Sequence, residues 1–453
     1  MDMLDRWAHL LQWPKSVDYP EMMLIGDDHG QPVVIGYGKL EIIDPQTFTY
    51  EMTGRSPDIA KSLRRLNAIR ENPYDGRARC RLLLKDSNGL EIAAGWTVPV
   101  VEPLPSGEWI CRGTVDGLSW IGHATGPAGT ELMFHIPLQS RSYLYFARFC
   151  ASPRRLSLLG TEVEFAFDRA TGRLSARANA SNDLPVTYSE NWIGEPWRIM
   201  LGELVYPRLI IRVLQDGRAH VHLRSTPGHT GMSDWIALWR GANALTDVDA
   251  FWTMYSNLLQ YVASGREFES NKLTQHYEEL MQAAEGSRWV WALTLASTVE
   301  ALVLQVFPRG TKNEAADAGA IVSLSEHIKK WKGDNSLRST AVQSVKRAGE
   351  IAAGKGLVLL QRQGIVKADG VAAWKDIRNS VMHGSLVSRY SDEQEDNKII
   401  ALAGLVHSLT RYVIDPDREP IRARLETRPA SVVLWDIFRS FAALLYRTLC
   451  KAK

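Results

Sequence analysis

Hydrophobic periodicity changes once along this chain of 453 residues, and the change excludes any fold built from one kind of element. From about residue 20 to 225, apolar residues come in short alternating runs cut by turn signals, which is how antiparallel strands read. Gln31 to Ile43 and Thr47 to Thr53 flank an Asp44-Pro45 turn, and Ala78 to Lys85 and Leu90 to Val101 flank Ser87-Asn88-Gly89. Thr161 to Asp168 and Arg173 to Ala178 flank Ala170-Thr171-Gly172, and Arg208 to Leu214 and Arg218 to Leu223 flank Gln215-Asp216-Gly217. Asp and Asn side chains bond their own backbone two residues on, and Gly tolerates positive φ, so these spacers predict hairpins. One helix interrupts the series: Ser56 can cap it, Pro57 can occupy the first turn, and Ile59, Leu63, Leu66 and Ile69 recur at helical spacing.

Beyond about residue 245 the period becomes helical. Thr246-Asp247-Val248-Asp249 offers a cap before Phe251, Tyr255, Leu258, Leu259 and Val262, and a second amphipathic helix covers about 266 to 285. A third runs from Ser287 through Trp289, Leu293, Ala296, Val299, Leu302 and Val303 to a stop at Pro308, and further helices read at 321 to 332, 336 to 353, 371 to 383, 391 to 414 and 430 to 450. The predicted fold class is α+β with two domains: residues 1–240 as an antiparallel β-sandwich or barrel-like domain, and residues 241–453 as an all-α helical bundle.

Charge and cysteine usage narrow the function classes. A net charge of +2 provides no bulk field for nucleic-acid binding, so any such role must be local. Basic clusters at Arg77 to Arg81, Arg141 to Arg155 and Lys329 to Lys332 alternate with apolar residues or sit beside turns, and read as solvated faces. Cys80, Cys111, Cys150 and Cys450 lie far apart with no C-x-x-C pair, which argues against a structural zinc or a disulfide framework. The opening Met-Asp-Met-Leu-Asp-Arg-Trp lacks a basic segment leading into an apolar core, and no later run reads as membrane-spanning, so a cytoplasmic protein with no membrane partner is expected.

Neither cofactor nor metal is expected. Gly354-Lys355-Gly356 lacks the preceding strand and spacing of a phosphate-cradling loop, and no H-E-x-x-H occurs. His220 and His222 alternate onto one face of a strand, with His229 nearby, but no acidic or Cys partner lies within short reach, and the pair reads as surface histidines of a hairpin.

The stretch W-K-D-I-R-N-S-V-M-H-G-S, from Trp374, is the strongest candidate for chemistry. With 37 Arg and 11 His in the chain, about one Arg followed five positions later by His is expected by chance, and Arg224 to His229 is a second case, broken by Pro227 and Gly228. At Arg378 the context differs. Trp374, Ile377 and Val381 supply an apolar helix face, Gly384 supplies a left-handed stop, and Asn379 and His383 fall four residues apart on nearly one face. A histidine at a helix C-terminus also occurs with no function at all, because imidazolium is favoured by the negative end of the dipole.

The arrangement of Arg378, Asn379, His383 and Gly384 resembles the HEPN superfamily of helical-bundle nucleases, and an earlier apolar helix with one acid, A-S-T-V-E-A-L-V with Glu300, is similar in order and distance. The resemblance covers about residues 246 to 453 and is nearest to the Apea-like group linked to anti-phage defence; for the β half it rests on domain order and on Gly36 to Ile43. It implies a metal-independent endoribonuclease in an abortive-infection or stress system. Arg378, Asn379 and His383 would be catalytic and Glu300 supporting, in a homodimer that brings two Arg/His pairs into one cleft. The implied substrate is RNA, with tRNA and mRNA both candidates, and residues 1–240 would sense a phage-derived trigger. The chemistry suits the residue types: a His titrating near neutrality can move the 2′-hydroxyl proton, a forked guanidinium can hold a crowded phosphoryl group, and an Asn amide can hold the His or a phosphate oxygen. The alternative is a non-catalytic RNA-binding or dimerising signalling module.

Overall fold

The computed structural model describes residues 3–26, 31–72, 79–227, 235–241, 244–265, 270–313, 318–382 and 392–416. An N-terminal antiparallel β region and a C-terminal helical region are both present, as the change of period requires. By packing, the chain divides into Met1–Ser233 with Trp252–Glu285, and Asp234–Phe251 with Gly286–Lys453.

The first unit runs α1 (Met3–Trp7), β1 (Lys15–Gly26), β2 (Pro32–Ile42), β3 (Phe48–Arg55), α2 (Ile59–Glu71), β4 (Cys80–Lys85), β5 (Glu91–Thr97), β6 (Val100–Pro103), β7 (Trp109–Val115), β8 (Gly117–His123) and β9 (Gly129–His135). It continues through α3 (Arg141–Phe149), β10 (Arg154–Leu158), β11 (Thr161–Asp168), β12 (Arg173–Asn179), α4 (Val186–Leu201), β13 (Pro207–Val213) and β14 (Arg218–Arg224), and takes in most of α5 (Val248–Ser264) and all of α6 (Lys272–Glu285). The strands form one antiparallel sheet in the order β10-β11-β12-β9-β13-β14-β8-β5-β4-β1-β2-β3-β7-β6.

The hairpins form where the turn chemistry places them. Asp44 Oδ1 accepts from Gln46 N at 2.7 Å, Asp86 Oδ1 from Asn88 N at 2.8 Å, Asp168 Oδ1 from Ala170 N at 2.9 Å and Asp216 Oδ1 from Arg218 N at 3.0 Å. Each side chain thus replaces a backbone acceptor at the point of reversal. Those bonds hold the carboxyls of Asp44 and Asp216 below the usual range, and Asp168 is held low first by the Thr171 hydroxyl and then by Ala170 N.

The sheet cannot be flat. Val115 ends β7 and Gly117 begins β8, so these ends lie within about 7 Å of each other. In the strand order, however, β7 and β8 are separated by β5, β4, β1, β2 and β3, which in a flat sheet would span roughly 29 Å. The strands between them therefore curl back, and their inner faces bury Leu24, Val34, Leu40, Phe48, Met52, Leu82 and Cys111 in one core. Cys80, Cys111 and Cys150 are buried free thiols, and burial pushes Cys111 and Cys150 up to about 12, which leaves little reactive thiolate.

Two helices in this half are not among those expected from the sequence. α4 contains Pro196 and buries residues on nearly every side, including the charged Glu190, Glu195 and Arg198, so no apolar stripe exists to be read. Each buried charge has partners: Glu190 pairs with Arg212 and Arg224, Glu195 accepts from Thr274 Oγ1 at 2.6 Å and Asn271 N at 2.9 Å, and Arg198 pairs with Glu278 at 2.7 Å. α3 is short and is capped by Ser140, whose side chain accepts from Tyr143 N. Of the predicted stripe of α2, Ile59 and Leu63 are exposed, while Ser62 is buried and donates to Val33 O at 2.9 Å.

The expected division at residue 240 marks a change of element type, whereas packing divides the chain elsewhere. Asp247 caps α5 as predicted, accepting from Ala250 N at 3.0 Å. From Trp252 onward the helix joins the sheet unit, where Tyr255 donates to Ile193 O at 2.9 Å and stacks on Trp197 at 4.2 Å. Aromatic surface on α4 needed cover, and α5 supplies it.

The second unit contains α7 (Arg288–Val306), α8 (Ala318–Lys329), α9 (Asn335–Ala348), α10 (Ala353–Arg362), α11 (Ala368–Met382) and α12 (Glu393–Ile414). α7 is packed by α10, α11 and α12 and buries Leu295, Val299, Leu302 and Val303. Contrary to the sequence expectation, α7 is long and apolar enough, by length and composition, to cross a membrane: an 18-residue window within its 19 residues reaches a mean hydropathy of 1.5, because Glu300 is its one charge after Arg288. α10 was not anticipated, since Gly354 and Gly356 are poor helix formers. Gly356 has a packing reason, because a Cβ there would fall 2.7 Å from Val303 Cγ1 and 2.9 Å from Phe307 Cδ2. The predicted helix at 430 to 450 and Cys450 lie outside the described residues.

Candidate active site

α11 positions the motif. Val371, Ala373, Trp374 and Ile377 are buried, and Trp374 Nε1 donates to Ala296 O on α7 at 3.1 Å, which fixes the rotation of α11 against α7. That rotation leaves Lys375, Arg378, Asn379 and Ser380 exposed. The Arg378 guanidinium lies 5.5 Å from the Trp374 ring centroid, one helical turn back, and its Nε sits 3.5 Å from Glu300 Oε2. Their side chains are 44% and 43% exposed, so this is a hydrated pair at long hydrogen-bond distance that an incoming anion can reach.

Arg378, Asn379 and Glu300 are thus brought to one surface by α7 and α11. His383 and Gly384 lie outside the described residues, one position beyond the end of α11 at Met382. Nearby charges hold the surrounding helices: Lys398 pairs with Asp376 at 3.1 Å and Arg288 with Asp396.

Arg224 ends β14 and pairs with the buried Glu190, while His229 lies outside the described residues. His220 and His222 do share a face of β14, where burial and the charges of Arg212 and Arg224, against Glu190, push His222 down to about 4. A cation would meet two guanidiniums there. Among the described residues no three His, Cys, Asp or Glu side chains cluster to hold a metal.

A second histidine is depressed in the helical unit. His407 on α12 is buried, with Nε2 2.9 Å from Ile236 O, and burial pushes its pKa well below 6.5. Both histidines favour the neutral form when folded, so the unfolded chain takes up protons first as pH falls. Stability is therefore full above about pH 6.5 and declines from there toward about pH 4, where His222 itself protonates. Urea midpoints between pH 7.5 and 4.5 should show this decline, and His222→Gln should flatten it; an unchanged slope in the variant would remove His222 as a contributor.

The aromatics of the β half are mostly core. Trp109, Trp120 and Tyr145 are buried, Trp96 is partly covered by the Arg81 guanidinium at 4.5 Å, and Tyr143 donates to Arg169 O at 2.9 Å. Tyr37, on the outer face of β2, is the most exposed large aromatic of the described residues and had no sequence signal. It lines an open depression with Asp18, Lys39, Glu51 and Thr53.

Compared with known proteins, the chain matches no family model, no curated protein and no solved structure.

Proposed function

We propose that the helical unit is a metal-independent endoribonuclease of the HEPN type, working as a homodimer in an anti-phage or stress response and held in check by the β-rich half. The observation that supports it most is the meeting of Glu300 and Arg378, 78 positions apart in sequence, on an open surface beside Asn379. A carboxylate that aims a guanidinium without burying it leaves the cation available to a phosphate.

In this reading the substrate's 2′-hydroxyl attacks the adjacent phosphorus while the P–O5′ bond breaks. His383 takes the 2′-hydroxyl proton and His383 of a second chain donates one to the departing 5′-oxygen, which yields 2′,3′-cyclic phosphate and 5′-hydroxyl ends. Arg378 stabilises the charge that grows on the phosphoryl oxygens. One imidazole per chain at this motif is thin provision for acid and base together, and a dimer supplies the second.

The test is mixed cellular RNA incubated with the full-length protein in chelator, followed by sequencing of the cut ends. Wild type should produce cyclic phosphate ends and His383→Ala none. Cleavage that needs added magnesium or manganese would overturn the mechanism, and RNA binding without turnover would leave the non-catalytic module.

A further inference from the structure

Between α7 and α10 the chain runs out as a helical hairpin, α8 and α9, pinched at its base by a short antiparallel bridge. Lys312 pairs with Glu350 there, Asn313 N donates to Gly349 O at 2.8 Å and Ile351 N to Thr311 O at 2.9 Å. The helices pack on each other, with Ile321, Ile328, Val342 and Val345 half-buried, yet α8 buries no residue but Ser325 and α9 buries none. Val322, Leu324, Trp331 and Leu337 are left 49–63% exposed.

This arm also concentrates charge. From Ala318 to Gly349 six cations, Lys329, Lys330, Lys332, Arg338, Lys346 and Arg347, stand against two carboxylates, Glu326 and Asp334, in a chain whose total net charge is +2. Both carboxylates are occupied locally. Asp334 caps α9, accepting from Leu337 N at 2.8 Å, and Glu326 is held below its usual range first by its hydrogen bond to Lys329, with Lys330 and Lys346 adding their charge. Lys329, Lys330 and Lys332, with Arg338 from the first turn of α9, therefore gather at the tip of the arm, away from the bridge.

Trp331 sits in the middle of them, in the Lys329-Lys330-Trp331-Lys332 turn, and its position is built. Its carbonyl accepts from Arg338 Nη1 at 2.9 Å and its N–H donates to Ile328 O at 3.1 Å. The indole lies over Gly333 so closely that a Cβ at that position would fall 2.1 Å from Cζ2. A glycine that makes room for an indole which stays half in water describes a platform, since a core tryptophan would be covered. A half-exposed ring flanked by lysines is the chemistry that holds single strands: every base offers a face for stacking, and every linkage a phosphate for a cation. An apolar protein partner would leave the convergent cations uncompensated.

We propose that the α8–α9 arm is a docking site for single-stranded RNA, with a base stacked on Trp331 and the flanking phosphates held by Lys330 and Lys332. The choice of RNA over DNA rests on the ribonuclease reading; the site itself does not.

The experiment measures fluorescence anisotropy of a short labelled single-stranded RNA, 2′-O-methylated so that it is held without being cut, titrated with the full-length protein. Trp331→Ala should weaken binding about tenfold or more, the loss of one stacked base. Lys330→Glu with Lys332→Glu should weaken it further and flatten the dependence of affinity on salt. Gly333→Ala, which keeps the indole but displaces it, should reproduce much of the Trp331→Ala loss while the circular dichroism stays unchanged. Binding that survives all three variants overturns the arm and leaves the ribonuclease reading standing. No binding by wild type, or a preference for duplex, overturns the arm outright. Hairpin-dependent binding by a protein that never cuts unmethylated RNA sinks the ribonuclease reading alone. Self-association lost in Trp331→Ala, with no RNA bound, would instead make a second copy the occupant.

Discussion

Arg378→Ala is expected to lower RNA cleavage by about two to three orders of magnitude, the typical cost of losing one preorganised charge at a reacting centre. The same change should barely move the unfolding midpoint. Arg378 has an exposed side chain and one hydrated ion partner, Glu300, at 3.5 Å, and exposed pairs of this kind contribute about 0–1 kcal/mol. Rate and stability are thus separable here, which is what makes the variant informative. Arg378→Lys keeps the charge but loses the fork and should recover only part of the rate. Glu300→Gln should cost less than Arg378→Ala, because it loosens the aim of the guanidinium without removing it. Cleavage by Arg378→Ala at the wild-type rate would remove this surface from the chemistry. A loss of rate matched by a loss of fold would make Arg378 a structural residue.

Trp197→Ala should have the largest effect on stability, about 3–5 kcal/mol. Its ring is buried in a cluster formed by Phe146 at 5.0 Å, Phe165 at 5.4 Å, Trp252 at 5.7 Å and Tyr255 at 4.2 Å. These rings come from α3, β11 and α5, so the cavity left behind has rigid walls on several sides and little freedom to collapse. Because two of the rings are on α5, the variant should also loosen α5 and α6 and expose them to protease before the rest of the chain. A shift below about 1 kcal/mol, or protection of α5 unchanged from wild type, would contradict the packing described. The same contacts argue against cutting the chain at residue 246 to isolate the helical region, since α5 and α6 would leave the sheet unit that they help to close.

How much was legible from the residues depended on the range of the interaction. The reversals at Asp44-Pro45, Ser87-Asn88-Gly89, Ala170-Thr171-Gly172 and Gln215-Asp216-Gly217 could be read because turn residues act on backbone within a few positions, whereas the side-chain bonds of Asp86 and Asp168 that make two of them are seen only in the structure. The cap at Asp247 and the Trp374/Ile377 face of α11 were legible for the same reason: both are set within a turn of helix. Those local facts also select Arg378, Asn379 and Glu300 as exposed polar positions on apolar helices. That Glu300 meets Arg378 was expected from resemblance alone, and only the pairing of α7 with α11 brings them within reach.

What no local pattern could decide is set by burial against distant partners. α4 is invisible as a helix because it is covered on nearly all sides: its charges survive by pairing with Arg212, Arg224, Thr274 and Glu278, residues that sequence spacing does not associate with it. The strand order, with β7 running into β8 from five strands away, follows from closing a core rather than from any hairpin. The membership of α5 and α6 is decided likewise, since the aromatic face of α4 needs a cover and the chain order says nothing of which helix provides it. The Lys329 to Lys332 run is the reverse case. Its letters read as a solvated face, and only the unburied arm and the indole seated over Gly333 distinguish a platform from a turn. The sequence by itself determined the change from strands to helices, the strand pairs around four reversals and the cap of α5, because those energies act within a few residues. Tertiary structure decided which faces are buried and which charges meet, because desolvation is fixed only when distant surfaces close on one another.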